Sequence, residues 1–160
     1  MGDIYEAIAD AGKVLKVDPN SMEALELRGT CYYILGEFET AVNHYRQALK
    51  LDPEHVGCKA GHKLIKKILK GRERFQKARD SGNNEDAIKH LKDILSADPE
   101  HPVTVPQTQR DMAKVYSDMK NFSEAKKVAE IALRSNENDL DMLRVLGEIH
   151  MNAEEYDEAV

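Results

Sequence analysis

Proline, alanine and aromatic landmarks return along this chain at a spacing of 34 residues. Pro19 and Pro53 are 34 apart, Ala7 and Ala41 likewise, and Ala125 and Ala159 again. Ala41 to Ala87 spans 46 and Ala87 to Ala125 spans 38, which is the same interval enlarged by twelve and by four. A period of this size marks a stack of supersecondary units, none of which can bury its apolar face alone. It constrains the fold more than any other feature, because it fixes where each helix must meet its neighbour.

The clearest unit runs Leu25-Glu-Leu-Arg28-Gly29-Thr-Cys-Tyr32, then Ala41-Val-Asn-His-Tyr45, Ala48 and Pro53. A large residue, a small glycine and a tyrosine on one helix, then alanine, aromatic, alanine and proline on the next, resembles the tetratricopeptide repeat (TPR). That resemblance implies an all-α superhelical solenoid of antiparallel helix hairpins. Gly29, Ala41, Ala48, Ala125, Ala132 and Gly147 are expected where two helices cross closely. Tyr32, Tyr45, Tyr116 and Phe122 are expected to fill the spaces between hairpins, with Gly36 and Gly82 in the turns. Asp18-Pro19, Asp52-Pro53 and Asp98-Pro99 each place a carboxylate able to cap a helix before a proline suited to its first turn.

The expected organisation is a second helix of a truncated repeat over 1–21, a complete repeat over 22–55 and a helical insertion over 56–67. Repeats at 68–101 and 106–139 follow, separated by an extended connector at 102–105, and 140–160 begins a repeat that stops inside its second helix. Lacking polar caps at either end, the array reads as part of a longer protein. The insertion is not a loop: Val56, Leu64, Ile65, Ile68 and Leu69 recur at helical spacing. One long fused helix near 54–81 is expected, weakened by about 1 kcal/mol at each of Gly61 and Gly71.

Composition narrows function mainly by exclusion. A net charge of −6 gives no overall footprint for nucleic acid or an acidic membrane, and no apolar stretch is long enough to span a bilayer. Phosphate-cradling glycine loops, His-Glu-x-x-His and Gly-x-Ser-x-Gly are all missing, so no catalytic residue and no enzyme activity is expected. The nearest approach to a metal constellation is His55-x2-Cys58-x3-His62. No fourth ligand is apparent and lysines crowd His62, so neither a metal nor another cofactor is expected. Cys31 and Cys58 read as free thiols that pack as small hydrophobes.

Two binding features remain. Leu27 and Ile34 lie nearly opposite the Leu25, Gly29 and Tyr32 face of their helix, with Tyr33 between; a helix apolar on both sides is either sandwiched or offers a binding groove. The long helix is basic, and Lys63, Lys66, Lys67 and Lys70 could meet an acidic partner, although a solvated face is the simpler explanation for them. A clamp for a terminal carboxylate is not expected, because Gln76, Asp111, Asp141 and Val145 stand where asparagine, lysine and arginine would be needed.

The run Ala48-Leu-Lys-Leu-Asp-Pro-Glu-His55-Val-Gly-Cys58-Lys, then Lys63-Leu-Ile-Lys-Lys67 and Asn152-Ala-Glu-Glu-Tyr156-Asp-Glu-Ala159, resembles the TPR region of J-domain (DnaJ-type) co-chaperones. The likeness extends to the position of the twelve-residue insertion. It is greatest to the endoplasmic-reticulum branch, also known as inhibitors of the double-stranded-RNA-activated protein kinase. The resemblance implies a lumenal module that holds unfolded or misfolded clients and passes them to a BiP-type chaperone through a J domain absent from this chain. It also implies that the disulfide of animal members is missing, since Ala48 stands where one of its cysteines would be. A generic scaffold for folded partners and a cytosolic chaperone adaptor are the competing readings.

Overall fold

The computed structural model describes residues 2–159, with side chains as far as Asp157; the side chain of Ala159, the last landmark of the period, lies outside them. Among the described residues there are eight α-helices and no strand. They are α1 Gly2–Val17, α2 Met22–Ile34, α3 Phe38–Leu51, α4 Val56–Asp80, α5 Asn84–Ala97, α6 Thr104–Asp118, α7 Phe122–Ser135 and α8 Leu140–Ala159. The chain sorts into two units, Met1–Leu69 and Lys70–Val160, and α4 runs unbroken through the boundary as the expected long fused helix.

In the first unit the core is organised around Tyr45, which is buried to 3% exposure. A Cβ built on Gly29 of α2 would lie 2.6 Å from the Tyr45 ring, and one built on Gly61 of α4 would lie equally close. The ring is thus seated between two glycines, and its hydroxyl shares a 3.1 Å hydrogen bond with Thr30 Oγ1. Leu25, Ala41, Ala48, Ile65 and Ile68 of the same unit are essentially buried as well. Each large apolar side chain so buried contributes about 1.5–3 kcal/mol. In the second unit Gly71 does for Ile94 what Gly61 does for Tyr45: a Cβ there would come within 2.6 Å of Ile94 Cγ1. Another part of that unit packs Ala113, Ala125, Ala129, Ala132, Met142, Val145 and Ile149, with Tyr116 and Phe122 against them.

The hairpin turns share one device. Glu37, Asn83 and Asn121 each donate their backbone N–H, at 2.9 Å, to a carbonyl five residues back. The residue before each is left-handed: Gly36 (φ 77°), Gly82 (φ 71°) and Lys120 (φ 59°). This is the Schellman arrangement, in which glycine avoids a steric cost that Lys120 bears.

The connections between hairpins differ from the expectation. Asp18, Asp52 and Asp98 do not cap the following helix, nor do their prolines enter its first turn. Each carboxylate instead accepts from the N–H two residues on, at 3.0, 3.0 and 3.2 Å, folding a local turn. The caps stand three residues later. Ser21 Oγ accepts from Ala24 N (3.4 Å), His55 Nδ1 from Cys58 N (3.3 Å), His101 Nδ1 from Thr104 N (3.0 Å) and Asp139 Oδ1 from Met142 N (3.0 Å). These satisfy N–H groups that have no partner within the helix.

Three further expectations are corrected. The 102–105 connector is not extended: α6 already begins at Thr104, anchored by the buried His101, and Pro106 fits because a first-turn residue has no intrahelical N–H bond to lose. The turn expected within 140–160 does not form, since α8 continues through Asn152-Ala153-Glu154-Glu155, a run with no glycine and strong helix formers in Ala and Glu. Gly147 marks no close crossing, as a Cβ there would meet nothing within 4 Å.

Two substitutions test this packing. Gly29→Ala should destabilise the chain by about 1–3 kcal/mol, because the added methyl must displace a ring held on both sides. Lys120→Gly should stabilise it by about 1 kcal/mol by relieving the left-handed turn. Urea unfolding followed by circular dichroism measures both.

Candidate protein-interaction surfaces

Residues 22–35 carry apolar side chains on more than one side, and the core uses more than one of them, since Ala24 and Cys31, a turn before and after Leu27, are buried too. Leu25 and Gly29 are buried, whereas Leu27 is 44% exposed and Tyr33 and Ile34 are half-buried. The Tyr33 ring is fixed against Phe38 with centroids 5.9 Å apart. α2 packs against both α1 and α3, and Leu27 keeps part of its apolar surface exposed beside polar Glu23 and Thr30, both exposed.

A second apolar feature of the first unit gave a weaker sequence signal. Leu49, Val56, Ala60 and His62 line a surface hollow of about 550 Å³, with Lys59, Lys63 and Glu54 on its rim. Val56 is 81% exposed there. A β-branched residue left uncovered at the first position of a helix was the available clue.

Along α4, Lys63, Lys66, Lys67 and Lys70 are all exposed, and the helical period places them on one stripe. None forms an ion pair among the described residues. Lys59 and Lys77 of the same helix do, with Glu54 at 2.8 Å and Glu73 at 2.9 Å. Exposed pairs of that kind are worth little.

Of the positions read for a carboxylate clamp, Gln76 and Asp111 come together in the second unit. Val145 is buried in the core. Gln76 donates to Asp80 at 2.7 Å. Asp111 is half-buried; desolvation raises its pKa, and Arg72 opposes that rise as the largest of the neighbouring cations. Arg72 itself donates to Gln107 at 2.8 Å. These side chains line a cavity of about 270 Å³ with Phe75 and Thr108, and its acid and base sit side by side.

Among the titratable groups of the first unit, burial lowers the His44 pKa, with Arg28 adding to the effect. The His44 ring stacks on Tyr32 at 5.5 Å and 5°. Burial also lowers the His62 pKa, helped by Lys66 and then Arg46. Cys58 is fully buried, and burial, then Glu26 and Asp52, push its thiol up to about 11. Both cysteines are free.

Hairpins of this make, carrying exposed apolar and basic surfaces on a close-packed frame, define a protein-interaction scaffold. The chain belongs to the tetratricopeptide-repeat family, whose pattern matches residues 23–55 and 78–149, together more than half of it. Its curated relatives are J-domain proteins. It is 30% identical to the DnaJ protein P58IPK homolog of Arabidopsis thaliana over 99% of this chain and 33% of that protein. It is 32% identical to the DnaJ homolog subfamily C member 7 homolog of Schizosaccharomyces pombe, with the same coverage of each. Human DnaJ homolog subfamily C member 3 is 26% identical over 99% of this chain and 32% of that protein. The crystal structure of the P58(IPK) TPR domain superposes with a TM-score of 0.81 at 26% identity, over 99% of this chain and 44% of that one. The chain thus spans about a third of the length of the curated relatives it matches.

The two histidines make a pH prediction whose sign is fixed. Their folded pKa values lie below the unfolded value near 6.5, so the stability they contribute is present above that pH and is lost as pH falls through the folded values. His44→Phe combined with His62→Gln should therefore shrink the stability difference between pH 7 and pH 5, measured by urea unfolding at each pH.

Proposed function

We propose that this chain is the client-holding part of a J-domain co-chaperone, and that apolar segments of unfolded or misfolded proteins bind its first unit. Leu27, Tyr33 and Ile34 supply one contact surface, and the hollow at Leu49, Val56 and Ala60 another. The observation that carries this reading is Leu27, a large apolar side chain left 44% exposed on α2 beside polar Glu23 and Thr30. Uncovered apolar surface gains by covering, at roughly 25 cal/mol per Å². Kinship with J-domain proteins supports the next step, transfer of the client to a BiP-type chaperone in the endoplasmic-reticulum lumen through the J domain of the whole protein. The cytoplasm is the alternative compartment.

A second reading rests on the lysines of α4. Lys63, Lys66, Lys67 and Lys70 form no ion pair among the described residues, so an acidic segment of a folded protein would find them available. Binding of that kind weakens as salt rises, whereas apolar binding does not.

Titration against a permanently denatured model protein tests the first reading, with a Glu-Glu-Val-Asp peptide and a folded acidic protein alongside. Binding of the denatured protein should persist at high salt and weaken by about tenfold, or about 1.4 kcal/mol, in Leu27→Ser with Ile34→Ser, provided helicity is retained. Binding of the folded acidic protein alone, lost on Lys66→Glu with Lys67→Glu, would favour the second reading and defeat the first.

A further inference from the structure

Three potential metal ligands converge where the first hairpin meets the start of α4. Glu26 lies on α2, His55 immediately precedes α4, and Cys58 is the third residue of α4. One ligand atom from each falls within 4.8 Å of the others, and His55 Nε2 is 3.8 Å from Glu26 Oε2. We infer that Glu26, His55 and Cys58 form a binding site for a divalent transition-metal ion of the zinc or cobalt class. The grouping differs from the spacing that the sequence offers: His62 takes no part, and Glu26, thirty-two positions before Cys58, supplies the third ligand.

Several features suit a cation of this kind. A neutral imidazole, a thiolate and a carboxylate are the donors that zinc prefers, and three protein ligands leave one tetrahedral position for water. Thiolate and carboxylate together balance the charge of the ion. Asp52, which with Glu26 acts electrostatically on Cys58, adds further negative potential. Gly57 makes room for the site, because a Cβ there would collide with the Glu26 carboxylate. The nearest lysine in sequence, Lys59, is turned away into its pair with Glu54.

Binding has a defined proton balance. The Cys58 thiol gives its proton to solvent as the sulfur–metal bond forms. If His55 binds through Nε2, the ring proton passes to Nδ1, and the hydrogen bond that Nδ1 accepts from Cys58 N is given up. The sulfur–metal bond then holds the first turn of α4 in place of that cap, and one proton leaves per ion bound.

Cobalt(II) titration of the reduced chain tests the site, since a thiolate ligand gives sulfur-to-cobalt charge-transfer absorption and tetrahedral cobalt gives strong visible bands. One equivalent per chain should produce both, with release of a proton. Cys58→Ser should remove the charge-transfer absorption and Cys31→Ser should leave it unchanged. Glu26→Gln and Gly57→Ala, neither of which removes a core side chain, should each weaken binding by roughly tenfold or more. No charge-transfer absorption at a large excess of cobalt would overturn the inference. So would a band that survives Cys58→Ser, or an affinity indifferent to both Glu26→Gln and Gly57→Ala.

Discussion

The first unit depends on one aromatic ring with no room to spare. Tyr45 lies between Gly29 and Gly61, so the backbones of α2 and α4 come up close against its ring. A side chain at either glycine would push a helix outward. The same economy recurs in the second unit, where Gly71 admits Ile94. The two glycines of α4 are therefore the points at which a long helix accepts large residues from its neighbours. Their cost in helix propensity, about 1 kcal/mol each, is offset by the burial they allow.

Packing of that kind determines what is left for function. Leu25 and Gly29 are committed to the core on one side of α2, and Leu27, on another, keeps 44% of its surface exposed. Tyr33 is held by Phe38, and exposed Val56 opens α4 beside a hollow. The rigid part of each helix supplies the frame, and its opposite face supplies the surface. A binding scaffold needs that division, because a groove that must be assembled on binding loses affinity to ordering.

Much of this was legible in the sequence, and the failures are instructive. The 34-residue period located the hairpins because alanine and glycine at fixed positions report helix crossings directly. The long helix was legible from its apolar spacing. Gly61 and Gly71 were visible only as helix weakeners, since the rings and branches they admit come from other helices. Asp–Pro steps suggest caps by composition, yet the caps are Ser21, His55, His101 and Asp139, where geometry rather than residue class decides. His101 is a buried anchor that its residue type alone does not mark. The exposed apolar residues at 27, 33 and 34 were identifiable by helical period, whereas the Glu26–His55–Cys58 grouping needed three-dimensional proximity.

The proposal that the first unit holds unfolded clients is tested most directly by hydrogen–deuterium exchange of the chain, alone and saturated with a permanently denatured protein. Slower exchange is predicted in α2 and at the start of α4, with α6 to α8 unchanged. Protection confined to α6, α7 and α8, or none anywhere at saturation, would contradict it.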